Sequence, residues 1–250
     1  MNLTYLRIDL IRQMRDWGNI MFVLLMPVVM YLIFGASMSY ADQTLKHANV
    51  NFYIMTSMAA YGGALAATTV AGGAALERMQ GWGRQLALTP VKNASIVAMK
   101  VITSLAVTAM SIALVYLTGF LAGAKTDSPW LWLTSFVITL LGASAFALFG
   151  YMIAAIFKSE SALGVATGVL VLFAFVGNVF MPLTGTMLEV AKYTPLYGYV
   201  GLVRWPNLAG TFADNPGSDP MWVLLLNVGM WLGVFAALAI WGVRRGRDRQ

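Results

Sequence analysis

The stretch ERMQGWGRQLALTP, Glu77–Pro90, decides how the chain is read. It is polar, it carries Glu77, Arg78 and Arg84, and it joins two long charge-free runs, Ala48–Leu76 and Val101–Ala124. A helix crosses the hydrocarbon core of a bilayer with about 20 apolar residues. Only helices or closed barrels satisfy their backbone there, and neither run shows the strict alternation of a barrel strand. Glu77–Pro90 is therefore a wet connection between two spans.

Four more charge-free runs follow the same logic: Trp17–Ala41, Ser128–Phe157, Ser161–Leu188 and Pro220–Val243. Together the six runs predict an all-α integral membrane protein with spans over residues 19–40, 53–76, 97–123, 130–156, 162–181 and 221–243. Composition agrees. The 250 residues are 59% apolar and 10% charged, against about 25% charged in ordinary soluble domains.

Basic residues orient the bundle, because cytoplasmic loops are enriched in Lys and Arg. With the N-terminus inside, the inner side receives Arg7, Arg12, Arg15, Arg78, Arg84, Lys92, Lys100, Lys158, Arg244, Arg245, Arg247 and Arg249. The outer side receives Lys46, Lys125, Lys192 and Arg204. Both termini and Glu77–Pro90 are then expected in the cytoplasm. The Arg244–Arg249 cluster directly follows a span, where it anchors a helix end near anionic lipid. No basic domain lies beyond it, so nucleic acid is not an expected partner.

Ahead of the first span, residues 3–17 have helical periodicity, and Leu3, Leu6, Leu10, Met14 and Trp17 fall on one side. Asp9, Arg12, Arg15 and Asp16 fall opposite, with Ile8 among them. This predicts a helix lying in the membrane interface, within residues 1–18. Asp9 and Asp16 precede an apolar run too long for a secretory leader, so cleavage after Ser39–Tyr40–Ala41 is not expected.

Two spans carry close-packing patterns. Ala59, Gly63, Ala67, Ala71 and Ala75 recur every fourth residue in the second, and Gly164 and Gly168 form GxxxG in the fifth. Such stripes let backbones approach, either within one chain or between subunits. Between the last two spans, Pro182, Pro195 and Pro206 interrupt a half-apolar stretch. Thr186–Ala191 and Leu196–Arg204 read as two short helices on the outer side that dip back into the bilayer.

The chemistry that is absent narrows function. The chain has no cysteine and one histidine, His47, so it has no thiolate site and no histidine cluster. There is no G-x-x-x-x-G-K-[ST] phosphate loop, and none of the six charge-free runs holds the intramembrane charged side chain that coupled carriers usually keep. Asn178, Asn227, Tyr61, Thr68 and Thr69 are the notable polar groups in the runs, and hydrogen bonds between helices account for them. An enzyme is not expected.

Taken together, an interfacial helix, six spans, a polar loop after the second and paired short helices before the last resemble the membrane subunit of an ABC-2-type ABC exporter. The loop carries the resemblance most specifically, in Glu77–Arg78, Gly81, Leu86, Leu88 and Thr89–Pro90. It departs from the family pattern at Trp82, Gly83 and Arg84, where a small hydroxyl residue, a leucine and often an acidic residue are usual. Pro182 and Pro195 sit where family members have prolines in their extracellular helices.

The resemblance implies one transmembrane domain over residues 1–250, with a coupling loop at 77–90 and extracellular helices at 182–213. It implies a permease in the cell membrane of a bacterial-type cell, paired with a second permease as a homodimer or heterodimer. Two copies of a separate ATPase would hold ATP and Mg²⁺ and dock on Glu77, Arg78, Gly81, Arg84, Leu86, Leu88, Thr89 and Pro90. The interfacial helix would add a second contact. An apolar pathway with scattered Ser, Thr and Asn favours an amphipathic substrate: a drug, a lipid or a peptide-like molecule. The alternatives are an ATP-independent carrier or channel, and a membrane anchor of a signalling complex.

Overall fold

Length and polarity set the helices. The computed structural model describes residues 3–77, 93–208 and 219–247. Among them the elements are helical, apart from isolated bridges pairing Thr44 with Asn49 and Ala48 with Thr126. In chain order they are α1 (Leu3–Arg15), α2 (Trp17–Tyr31, extended by a wider turn over Leu32–Ala36), α3 (Val50–Glu77), α4 (Asn93–Leu121), α5 (Pro129–Phe157), α6 (Glu160–Val176), α7 (Gly185–Ala191), α8 (Pro195–Leu208) and α9 (Met221–Arg247). Five of these, α2 to α5 and α9, are long and apolar enough to cross a membrane. The chain is thus a multi-pass membrane protein.

The fifth expected span differs. α6 stops at Val176 after 17 residues, although apolar sequence continues. Gly177 and Asn178 end it, and Asn178 adopts a left-handed backbone with φ 61°. Its Oδ1 accepts a hydrogen bond from the Leu183 amide at 2.8 Å, so the side chain closes a turn that an extended helix would not allow. Asn tolerates that conformation better than most residues. The second short helix is also longer than expected. Pro206 falls inside α8 rather than ending it, and it sits in the last turn, where little helix follows for it to disrupt.

α3 is the axis of the bundle. In its most apolar stretch 83% is buried, against 22–44% in the other four long helices. The small residues of the second span explain this. Ala59, Gly63, Ala67 and Ala75 are all buried, and their stripe is used within this chain, against α4 and α5. At the crossing with α5, Gly72 and Gly150 bring the two backbones into contact, and a Cβ on Gly150 would run into the Thr68 carbonyl oxygen. The Thr68 hydroxyl then donates to the Phe146 carbonyl at 3.1 Å. By contrast, Gly164 and Gly168 of α6 face open space.

Pro27 shows how a proline survives in a spanning helix. It lacks an N–H, which frees the Val23 carbonyl one turn earlier. Ser111 of α4 donates its hydroxyl to that carbonyl at 3.1 Å, so the buried oxygen keeps a partner.

α1 and the last turns of α9 share one end of the bundle with the α3 C-terminus, the α4 N-terminus and the α5 C-terminus. The far end is tied by Asn49, which caps α3. Its Oδ1 accepts from the Phe52 amide at 3.0 Å and the Lys125 amide at 2.9 Å, while its Nδ2 donates to the Gly123 carbonyl at 2.8 Å. One side chain thereby fixes both the helix start and the α4–α5 connection. Beside it, His47 lies 3.5 Å from the Asp127 carboxylate.

Candidate coupling site

The polar loop enters the structure through its two flanks. Glu77 is the last residue of α3, and Lys100 lies in the second turn of α4. Lys100 Nζ donates to Glu77 Oε2 at 3.1 Å and to Asp9 Oδ1 at 2.5 Å. Arg12, one turn beyond Asp9 on α1, pairs with the other oxygen of Glu77. Four charges from three helices thus form one chain, Asp9–Lys100–Glu77–Arg12. It closes the base of the loop and fastens α1 across it.

Burial grades this chain. Asp9 is 5% exposed, whereas Lys100 and Glu77 keep 17% and 28% of their side-chain surface in solvent. A buried carboxylate without a cation is strongly unfavourable, so Lys100 is the residue on which α1 docking depends. Among the described residues Asp9 Oδ2 has no hydrogen-bond partner, and Lys100 is the cation paired with this carboxylate.

The expected site residues divide accordingly. Glu77 belongs to the cluster. Arg78, Gly81, Arg84, Leu86, Leu88, Thr89 and Pro90 lie outside the described residues. On α1, which Leu3 opens, Leu6 and Leu10 are half-buried and Met14 is exposed; Trp17, expected on the same helix, instead opens α2 beyond the break at Asp16 and is exposed. The inward side is set by Asp9, while Ile8 and Ile11 point outward with Met14. Asp9 and Lys100 were not singled out from the sequence. The available signal was a lysine directly abutting an apolar run.

At the far end, Pro182 is exposed in the turn after α6, and Pro195 opens α8 and is buried. Proline suits a first helical turn because its missing N–H has no intrahelical partner there. Asn227 of α9 donates to the Lys192 and Thr194 carbonyls at 2.7 and 3.2 Å, and Trp231 to the Tyr193 carbonyl at 3.1 Å. These bonds satisfy the carbonyls freed where α7 ends. Tyr197 donates its hydroxyl to Asp219 Oδ2 at 2.9 Å. Burial, with Asp219 beside it, pushes that hydroxyl above the usual phenol range. Of the other polar groups in the runs, Thr69 bonds back to the Leu65 carbonyl of its own helix, and the Tyr61 hydroxyl has no partner.

Arg204 was counted from the sequence only as an outer cation. It is 7% exposed, on the buried face of α8. A lone arginine between Val203 and Trp205 in a half-apolar helix was the available signal.

The chain is similar to known proteins. A family described as "ABC-2 type transporter" matches residues 3–204. A relative from Bacillus subtilis (strain 168), named "Putative transport permease YvfS", is 24% identical over 242 residues, covering 95% of this chain and 94% of its own.

Proposed function

The chain belongs to the ABC-2 type transporter family, and from that premise we propose that it is the membrane permease of an ATP-driven exporter for an amphipathic substrate. The observation that carries this reading is the cluster at the loop base. Asp9, Lys100, Glu77 and Arg12 join the helix before the loop, the helix after it and the N-terminal helix. A force applied to Glu77–Pro90 would therefore reach three elements at once.

In this reading a separate ATPase holds ATP and Mg²⁺ and docks on the loop from the cytoplasm, with two copies serving two permeases. Arg78 and Arg84 supply polar contacts, Leu86 and Leu88 an apolar anchor, and the Gly81 position a close backbone approach. Closure of the ATPases moves the loop, and α3 and α4 move with it. The α6 turn, α7 and α8 dip into the outer half of the bilayer and cap the pathway. Two features support that depth. Tyr199 of α8 donates to the Thr139 carbonyl in the middle of α5 at 2.7 Å, and α8 is buried along most of its length. An amphipathic substrate fits the apolar outer faces of α2 and α6, which expose Phe22, Leu25, Val165 and Leu172 and carry no charged group along those stretches.

The test is Leu86→Asp with Leu88→Asp. Two charges placed in an apolar docking surface are strongly unfavourable there, while the spans still insert. Co-purification of the ATPase and ATP-dependent transport should both fall. Normal pull-down and normal transport by the double variant would reduce the loop to a connector. Solute movement by the purified chain without any ATPase would instead make it a carrier or channel.

A further inference from the structure

Arg204 is a buried cation that, among the described residues, pairs with no carboxylate. Its Nε donates to Ser57 Oγ at 2.8 Å. One terminal nitrogen donates to the Asn178 carbonyl at 2.8 Å and the other to the Val179 carbonyl at 3.1 Å. Its guanidinium carbon lies 4.3 Å from the centre of the Tyr53 ring. Three elements meet on one side chain: α3 through Ser57 and Tyr53, the turn after α6 through Asn178 and Val179, and α8, which carries it.

The chemistry of the contacts is specific to guanidinium. A methionine of similar length would fill this space without desolvating a charge. Only a planar fork donates to three separated acceptors while its face lies on a ring. Asn178 presents its carbonyl there because of its left-handed backbone. Phe180, two residues on, sits against Phe34 of α2, Tyr61 of α3 and Phe175 of α6. Fixing the 178–179 carbonyls therefore also fixes an aromatic cluster shared by three helices.

The two ends of α3 are thus engaged differently. Glu77 ends it in the charge cluster, and Ser57 lies 20 residues earlier, about 30 Å along the helix. We propose that Arg204 is a positioning residue for transport: it pins the α6 turn and α8 to α3, so that a displacement of α3 at its Glu77 end is carried to the far-end segment. The direction of use rests on the docking role given to the loop above. The pin itself is a property of this chain.

The chain has no cysteine, so a single reporter can be placed at Met187→Cys, on the exposed face of α7. Its labelling rate by a water-soluble maleimide is measured in the full-length chain in lipid vesicles, in four backgrounds: unmodified, Glu77→Gln, Arg204→Gln, and both. Sites so far apart are normally additive. The pin predicts that Glu77→Gln changes the rate severalfold when Arg204 is present and leaves it unchanged when Arg204 is glutamine. Arg204→Lys should behave as Arg204→Gln, since an ammonium bonds as a point and does not span the three acceptors.

Independent, multiplying effects of the two substitutions would overturn the proposal, because a merely structural arginine shifts the rate without removing the response to Glu77. Full coupling in Arg204→Lys would overturn it as well. If Arg204→Gln is not recovered folded, Ser57→Ala with Tyr53→Leu removes the α3 side of the pin, and the same loss of response is required. None of these readouts needs an ATPase. Failure of the docking role would show separately, as normal ATPase pull-down by the Leu86→Asp/Leu88→Asp chain.

Discussion

Lys100→Met should release α1 from the bundle. The substitution keeps the length of the side chain and removes the cation between Asp9 and Glu77. Removing one partner of a buried pair costs about 3–5 kcal/mol. Asp9 is 5% exposed, but Lys100 and Glu77 keep 17% and 28% of their side-chain surface in solvent. Water therefore screens part of the interaction, and about 2–3 kcal/mol is expected. At tenfold for each 1.4 kcal/mol, opening of α1 becomes about 30- to 150-fold more frequent.

Asp9→Asn is the informative contrast. It removes the desolvated charge and leaves Lys100 with Glu77, so the cost is about 1 kcal/mol, the scale of one hydrogen bond. Asp9→Leu with Lys100→Met should recover most of the loss, because a buried pair replaced by apolar residues of similar volume is often neutral. Amide hydrogen exchange of residues 3–15 in micelles reads the docking of α1 directly. The reasoning fails if Lys100→Met leaves that exchange within about threefold of the unmodified chain. It fails equally if Asp9→Asn and Lys100→Met have the same effect, since the asymmetry is what a buried anion held by Lys100 demands.

Two other outcomes are expected. The distribution of basic residues predicts both termini in the cytoplasm; on that orientation Thr44→Cys should label from outside intact cells with an impermeant reagent while Gln80→Cys does not, and the reverse result would invert the bundle. Gly150→Ala should destabilise by about 1–3 kcal/mol, because its Cβ meets the Thr68 carbonyl and helix backbones yield little. Gly164→Ala, in open space, should be neutral or stabilise by up to about 1 kcal/mol, the usual Gly-to-Ala gain in a helix. Thermal unfolding in detergent compares the pair, and equal effects would remove the distinction drawn between the α3–α5 contact and the open face of α6.

The spans were legible because apolar length is a local property. A charge-free run such as Val101–Ala124 needs no knowledge of its neighbours to be read as a helix in lipid. The small-residue stripe of α3 was legible as a close contact, but its partner was not. The same spacing on α6, at Gly164 and Gly168, meets no neighbour among the described residues, and spacing alone does not distinguish the two cases. Helix ends inside apolar sequence were harder. Hydropathy carried the fifth span to residue 181, whereas Asn178 turned the chain after Val176 through its own side chain and the grip of Arg204 on its carbonyl.

That grip shows where local pattern stops being informative. Arg12 and Glu77 are 65 positions apart, Asp9 and Lys100 are 91, and Ser57 and Arg204 are 147. Each charge in these pairs looked locally like a member of a polar face or a loop anchor, which is how charges near membrane ends usually behave. Only tertiary packing makes Asp9 a buried anion and Arg204 a buried cation. The two sets of contacts sit towards opposite ends of the same helix. A sequence pattern identifies α3 by its small residues, but what it connects follows from which distant charges its burial forces into partnership. That makes the response of the far-end segment to a change at Glu77, rather than the presence of the loop motif, the more searching test of how this chain works.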